Sequence, residues 1–138
     1  MLKRRNTRQR DQIREYLKDR TDHPTAEKLY NELKVKNPKI SLGTVYRNLM
    51  LLADEGEIQA LNVGDARTHF DPNPEPHVHF FCRKCKCVLD VHLENYDEFN
   101  QLLSRKVTGE ITRCTVNLEG LCETCLKENV INLKKVGE

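Results

Sequence analysis

The stretch from Phe70 to Asp90, FDPNPEPHVHFFCRKCKCVLD, divides this chain of 138 residues into two parts. Directly after Asp71 it places three prolines within five residues, a run that continues neither a helix nor the hydrogen bonds of a strand. We therefore predict a stiff hinge at residues 73–76, a first domain at residues 1–72 and a second at residues 77–138. Both domains are small, so each has room for only a modest hydrophobic core.

The cysteines of the second domain predict a structural zinc (Zn2+) site. Four of the six cysteines form two Cys-x-x-Cys pairs, CRKC and CETC, and in a reducing compartment such pairs are metal ligands rather than disulfides. Four thiolates complete the tetrahedral shell of zinc and leave no position open for a substrate. The predicted ligands are Cys82, Cys85, Cys122 and Cys125. For Cys87 and Cys114, which remain, we favour buried strand thiols over a redox role.

A second set of donors predicts a metal site of different character. His77 and His79 are two residues apart, so in a strand both imidazoles point to the same side. Asp71 precedes them and Asp90 follows the first cysteine pair. Imidazole and carboxylate donors together suit iron, manganese or zinc with an exchangeable position. Spacing alone leaves open the alternative that these are solvated strand histidines.

Charge is distributed unevenly along the chain. Residues 1–60 carry 13 Lys and Arg against 9 Asp and Glu, whereas residues 61–138 carry 10 against 12. The basic half suits an acidic polymer, and Lys3, Arg4 and Arg5 are predicted to contact phosphates. A solvated helix face is the alternative. We found neither an apolar run long enough to cross a membrane nor a signal peptide, so we expect a cytoplasmic protein without a membrane partner.

The basic half of the chain is predicted to form three helices followed by a β-hairpin. Caps and apolar spacing place the helices at residues 7–18, 25–37 and 41–55. Two short strands follow at residues 58–63 and 68–71, joined by a Gly-Asp turn. Three helices and a hairpin in this order are typical of a winged helix, which binds DNA. The alternative is a small helical core whose third helix is polar on one side.

The third helix carries the candidate side chains for reading DNA. Its apolar stripe leaves a face that contains Thr44, Arg47, Asn48 and Leu51. Arginine can form two hydrogen bonds to guanine, and asparagine can do the same with adenine. We therefore predict that this face meets base edges in the major groove.

The second domain is predicted to contain three strands and two helices. Strands are expected at residues 77–81, 87–92 and 110–118, around a helix at residues 95–106. A short frayed helix is expected at residues 126–138. The fold class is therefore α+β.

Five segments of the chain together resemble successive signatures of the ferric uptake regulator (Fur) family. They are HPTAEKLYNEL from His23, ISLGTVYRNLMLLADEGEI from Ile40, HFD from His69, HVHFFCRKC from His77 and GLCETC from Gly120. The resemblance implies a bacterial, metal-dependent transcription factor with an N-terminal winged helix and a C-terminal α/β dimerisation domain. It also implies a homodimer on a double-stranded DNA operator with an inverted repeat, and a role for Tyr46 at a thymine methyl group.

Within that family the chain is most similar to the peroxide-sensing PerR branch, because Asp71 and Asp90 stand where iron sensors typically have Glu. The resemblance implies a regulatory iron (Fe2+) or manganese (Mn2+) ion. Its implied ligands are His23, Asp71, His77, His79 and Asp90. It further implies that iron and hydrogen peroxide oxidise a ligand histidine, His23 or His77, and so lift repression.

We therefore predict a metal-dependent repressor that senses hydrogen peroxide. An iron- or zinc-responsive uptake regulator of the same family is the first alternative. A zinc hydrolase or thiol oxidoreductase is the second, but the chain has no HExxH motif, nucleophile elbow or phosphate-binding loop. We accordingly expect no catalytic residues and no small-molecule substrate.

Overall fold

The computed structural model describes residues 2–136 and the side chains of residues 8–131. The chain forms two compact units, Met1–Glu75 and Pro76–Glu138. Among the described residues, none of the helices combines the length and the apolar character needed to cross a membrane.

The first unit consists of three helices followed by an antiparallel hairpin. The helices are α1 (Leu2–Leu17), α2 (Ala26–Lys36) and α3 (Leu42–Asp54). The hairpin strands are β1 (Gln59–Asn62) and β2 (Thr68–Asp71). This is the predicted order of a winged helix.

Local capping explains where α2 and α3 begin. The Thr25 hydroxyl accepts a hydrogen bond from the Lys28 N–H at 3.2 Å, and Ser41 accepts one from the Thr44 N–H at 3.1 Å. The first helix differs from the prediction, because it begins at Leu2 rather than with a cap at Thr7. The preceding LKRRN segment is dominated by good helix formers and has no glycine or proline to stop the helix.

The first unit encloses a hydrophobic core of its own. All three helices contribute to it, and β2 contributes one aromatic ring. The buried residues of this core are Ile13, Leu17, Ala26, Leu29, Leu33, Ile40, Val45, Leu49, Leu52, Ile58 and Phe70. Removal of this apolar surface from water is the main force that holds the unit together.

Strand β2 also pairs with the segment that precedes α2. Thr25 forms an isolated antiparallel bridge with His69, and the Phe70 N–H donates to the Pro24 carbonyl at 2.9 Å. The connection between α1 and α2 is thereby held along β2, which ends at Asp71.

The second unit is a small mixed sheet with two helices. The strands β3 (Val78–Cys82), β4 (Val88–Val91) and β5 (Asn117–Gly120) lie in the order β4-β3-β5. Strand β3 pairs antiparallel with β4 and parallel with β5. The helices are α4 (Tyr96–Ser104) and α5 (Glu123–Val136).

One predicted strand of this unit is mostly wrong. Residues 111–116 have no regular structure, and β5 begins only at Asn117. The segment is rich in β-branched residues, but Ile111 is exposed and its neighbours are exposed or half-buried. Such residues favour a strand where one of its faces is covered, and none of residues 111–116 is buried.

Candidate metal centres

Four cysteines of the second unit converge on one point. Cys82 ends β3, Cys85 lies in the turn that follows, and Cys122 and Cys125 flank the start of α5. Their Sγ atoms all lie within 4.8 Å of one another, and the Sγ atoms of Cys85 and Cys122 are 3.8 Å apart. Zinc–sulfur bonds of about 2.3 Å in a tetrahedron give a sulfur–sulfur edge of about 3.8 Å. The donor set therefore fits a tetrahedral zinc ion.

Backbone hydrogen bonds set this arrangement. The Arg83 N–H donates to the Gly120 carbonyl at 2.9 Å, which ties the end of β3 to the end of β5 just before Cys122. The turn after β3 closes through the Lys86 N–H, which donates to the Cys82 carbonyl at 2.9 Å. Lys86 has a φ of 67°, the left-handed conformation that so tight a turn requires.

The same backbone stabilises thiolates. The Cys122 N–H donates to the Cys82 Sγ at 3.4 Å and, with the Cys85 N–H, lowers the pKa of Cys82 to about 5. The Cys87 N–H likewise lowers the pKa of Cys85. In contrast, burial and the neighbouring sulfurs raise the pKa of Cys125 to about 12. Crowded thiolates repel one another unless a cation lies between them, so the site suits a metal ion.

The two other cysteines are half-buried. Cys87 directly precedes β4, and burial, followed by the neighbouring Cys85, raises its pKa to about 12. Cys114 lies in the irregular segment before β5 rather than in the predicted strand.

In the first unit, two donors of the second predicted set lie together. The Nε2 atom of His23 is 3.2 Å from an Oδ2 atom of Asp71, and each residue is only 2% exposed. The Asn73 N–H donates to Asp71 Oδ1 at 2.9 Å and thereby orients the carboxylate. His23 has a φ of 48°, so its backbone is left-handed.

The other histidine of this unit, His69, has a position that sequence reasoning missed. Its Nδ1 donates to the His23 carbonyl at 2.8 Å, and its Nε2 lies 2.9 Å from Asp65 Oδ2. His23 and His69 are 46 residues apart, so no spacing rule connects them. The place of His69 directly before Phe70 and Asp71 in HFD is the only signal in the sequence.

In the second unit, the two histidines converge on one carboxylate. Asp90 Oδ1 lies 2.9 Å from His77 Nε2 and 3.4 Å from His79 Nε2. The antiparallel register of β3 and β4 places His79 directly opposite Asp90. The two rings are close neighbours, with centroids 4.3 Å apart. Two imidazoles and a carboxylate at such distances suit a first-row divalent metal ion.

The exposed face of α3 differs in part from the predicted one. Tyr46 and Arg47 are exposed, and Thr44 is half-buried. Asn48, in contrast, is only 5% exposed, and its Nδ2 donates to the Thr44 carbonyl at 2.9 Å. Asn48 therefore does not lie on the exposed face of α3 as predicted, and its bond within the helix argues against a base contact by its amide.

Asn48 is buried because it lies on the side of α3 that faces the core. The buried stripe on that side contains Val45, Asn48, Leu49 and Leu52, which have the i, i+3, i+4, i+7 spacing of one helix face. The sequence suggests a stripe that includes Leu42 and Tyr46, which are both exposed. The predicted phosphate contacts Lys3, Arg4 and Arg5 lie outside the described side chains.

Comparison with known proteins supports one family. Residues 2–119 match the model of the ferric uptake regulator family. The peroxide-responsive repressor PerR of Staphylococcus epidermidis is 36% identical over 90% of this chain and 83% of its own length. The peroxide operon regulator of Bacillus subtilis is 35% identical over 90% of this chain and 86% of its own.

A solved structure agrees with these relatives. The Campylobacter jejuni peroxide stress regulator superimposes with a TM-score of 0.75 at 31% identity, covering 88% of this chain and 91% of that one. These matches confirm the resemblance found in the sequence, the α+β class and the expectation of a regulator rather than an enzyme. The chain belongs to the ferric uptake regulator family.

Proposed function

We propose that this protein is a metal-dependent transcriptional repressor that binds a DNA operator and releases it when hydrogen peroxide oxidises its regulatory metal site. One observation carries the proposal: the chain has two donor sets of different chemistry, one all thiolate and one of imidazoles and carboxylates. The first suits a permanent ion and the second an exchangeable one. The similar proteins are named a peroxide-responsive repressor and a peroxide operon regulator, which supports hydrogen peroxide as the signal that the protein senses.

The thiolate set is proposed to hold structural zinc. Its sulfur–sulfur distance of 3.8 Å matches the tetrahedral edge, and four thiolates leave no open position. The ion would join the end of β3 to the start of α5. Its binding free energy would then be largely folding free energy of the second unit.

We further propose that one iron or manganese ion takes ligands from both units. The pair His23 and Asp71 would supply one part of its coordination shell and the cluster around Asp90 the other. Support comes from the spacing within each set and from the likeness to the family. The proposed ligands are His23, Asp71, His77, His79 and Asp90. Such an ion would link a DNA-binding region at residues 1–72 to a dimerisation region at residues 77–138, across a hinge at residues 73–76.

Ferrous iron, when bound, supplies one-electron reduction of hydrogen peroxide, whereas manganese does not readily do so. The residues of the chain determine what is oxidised, because ligand imidazoles are the nearest oxidisable groups. In the net change, one peroxide molecule transfers one oxygen atom to a ring carbon of His23 or His77 and leaves as water. The resulting 2-oxo-imidazole is a poorer ligand, so the two units would lose their shared ion.

For DNA recognition, we propose that α3 enters the major groove. Arg47 would contact bases, Tyr46 and Thr44 would lie beside it, and Lys3, Arg4 and Arg5 would meet phosphates. A homodimer would place two α3 helices on an inverted repeat, with half-sites about one helical turn apart or a multiple of it. These steps would take place in the cytoplasm.

The second unit offers a surface for that homodimer. It exposes many large apolar side chains, and a homodimer interface would remove such side chains from water. Those residues are Leu89, Leu93, Leu102, Val107, Ile111, Leu118, Leu126, Val130 and Ile131.

The test is operator binding by the zinc-loaded protein with added iron or manganese, before and after hydrogen peroxide. We expect peroxide to abolish binding only in the iron form. Mass spectrometry should then find one added oxygen on His23 or His77, with the exposed His92 as an internal control that stays intact. Intact histidines with an oxidised Cys87 or Cys114 would show a thiol switch instead. If nothing is oxidised and binding follows iron supply, the protein is an iron-responsive uptake regulator.

A further inference from the structure

His69 stands between the turn of the hairpin and the backbone of a proposed metal ligand. Its ring is nearly buried, with 10% of the side chain exposed. Nδ1 lies 2.8 Å from the His23 carbonyl oxygen. A carbonyl oxygen can only accept, so Nδ1 carries a proton and donates it.

The other ring nitrogen faces an anion. Nε2 lies 2.9 Å from Asp65 Oδ2, and Asp65 Oδ1 accepts from the Arg67 N–H at 3.2 Å. Burial acts to raise the pKa of Asp65, but the hydrogen bond with His69 and the one from Arg67 lower it below its ordinary value. The carboxylate therefore accepts from Nε2–H and orients the ring, so a His69 ring that makes both contacts carries a proton on each nitrogen.

The backbone at His23 needs such support. A φ of 48° is uncommon for a residue other than glycine and persists where the surrounding structure holds it. Two backbone contacts hold the residues that follow, since Thr25 bridges to His69 and the Phe70 N–H donates to the Pro24 carbonyl at 2.9 Å. The His69 ring holds the carbonyl of His23 itself.

We propose that His69 is a positioning residue for the regulatory metal, because its hydrogen bond to the His23 carbonyl fixes the backbone that aims His23 Nε2 at Asp71. It does not touch the ion. Through Asp65 the same ring connects the turn of the hairpin, between β1 and β2, to the ligand. This inference rests on the proposed function, which makes His23 a ligand.

Two substitutions separate the two contacts of the ring. In His69→Asn the amide nitrogen can take the place of Nδ1 and keep the donor to His23. In His69→Gln the amide nitrogen reaches the place of Nε2, so the contact to Asp65 is kept and the donor to His23 is lost. Both are neutral, polar and smaller than or similar in size to histidine, which makes them a matched pair.

The experiment titrates the full-length, zinc-loaded protein with manganese and follows free manganese by electron paramagnetic resonance. We expect His69→Gln to weaken binding by about 10-fold to 100-fold, the usual effect of losing a residue that orients a ligand. We expect His69→Asn to stay within about threefold of the unchanged protein, given the retained hydrogen bond. Electron spin echo modulation should detect one histidine nitrogen fewer at manganese in the Gln variant alone.

A third variant, His23→Ala, separates the inference from the proposed function. If His23→Ala leaves manganese affinity unchanged, His23 is not a ligand and the proposed regulatory site is wrong. If His23→Ala weakens binding but His69→Gln does not, the positioning role is wrong and the site remains. Should His69→Gln fail to fold, His69→Asn decides, because a loss beyond about 10-fold there overturns the positioning role.

Discussion

Replacement of Cys122 by serine should unfold the second unit and leave the first one folded. Among the described side chains of the second unit, Val78, Phe81 and Val88 are buried apolar residues apart from the cysteines, and α4 contributes none. Burial of three such side chains stabilises by about 5 to 9 kcal/mol. A structural zinc site contributes about 10 to 16 kcal/mol. Zinc binding therefore stabilises the unit more than its apolar core does, and the core alone cannot compensate for loss of the metal.

The assay combines metal content, thiol titration, circular dichroism and sedimentation. The unchanged protein should carry one zinc ion per chain, with the four ligand thiols masked until denaturant and chelator are added. Cys122→Ser should contain no zinc, sediment as a monomer and keep much of its helical signal. That signal should persist because α1, α2 and α3 surround a core of their own.

Cys114→Ser is the matched control. Cys114 is half-buried and lies outside the group of four sulfurs, so this variant should keep its zinc and its dimer. A Cys122→Ser protein that retained one zinc ion and remained dimeric would refute the assignment of structural zinc. Equal zinc loss in both variants would show that the second unit is simply intolerant of cysteine replacement.

Three further predictions concern the first unit. Arg47→Ala should cost about 1 to 3 kcal/mol on the cognate operator and little on unrelated DNA, whereas equal weakening on both would mark a phosphate contact. Asn48→Ala should instead lower stability by about 1 kcal/mol without changing sequence preference, because its amide is used inside the helix. The Arg14 guanidinium, which bonds both Glu57 oxygens at 2.7 and 3.2 Å, lowers the pKa of Glu57 below its ordinary value of 4.5. Glu57→Gln should therefore cost less than about 1 kcal/mol at neutral pH, and urea unfolding should show this difference shrinking as the pH falls below 4.5 and the carboxylate is protonated.

Features coded by nearby residues could be predicted from the sequence. Thr25 and Ser41 cap helices as expected, since a cap needs only the next three residues. The hairpin of β1 and β2 followed from two short apolar runs and the turn between them. The convergence of the cysteines followed from their chemistry, because two Cys-x-x-Cys pairs in a small domain have few other uses.

Features decided by tertiary contacts could not be predicted. The sequence of an amphipathic helix does not define which residues lie at the edges of its buried stripe. In α3 the tertiary packing buries Asn48 and leaves Leu42 and Tyr46 exposed. A polar residue can occupy that stripe because its amide is satisfied by the Thr44 carbonyl. The two partners of His69 come from the hairpin turn and from before α2, so only the fold brings them together.

The chemistry of the two donor sets also constrains what the proposed sensor can measure. Sites built from nitrogen and oxygen donors bind zinc more tightly than iron, and iron more tightly than manganese. The donors around Asp71 and Asp90 therefore cannot select manganese or iron over zinc by affinity alone. Occupancy must follow the supply of each free ion in the cell, while the thiolate set retains its own zinc.

Under the proposed function, the iron form responds to peroxide and the manganese form does not. The peroxide response of the repressor would thus depend on the ratio of available iron to manganese, so metal sensing and peroxide sensing are two consequences of one site.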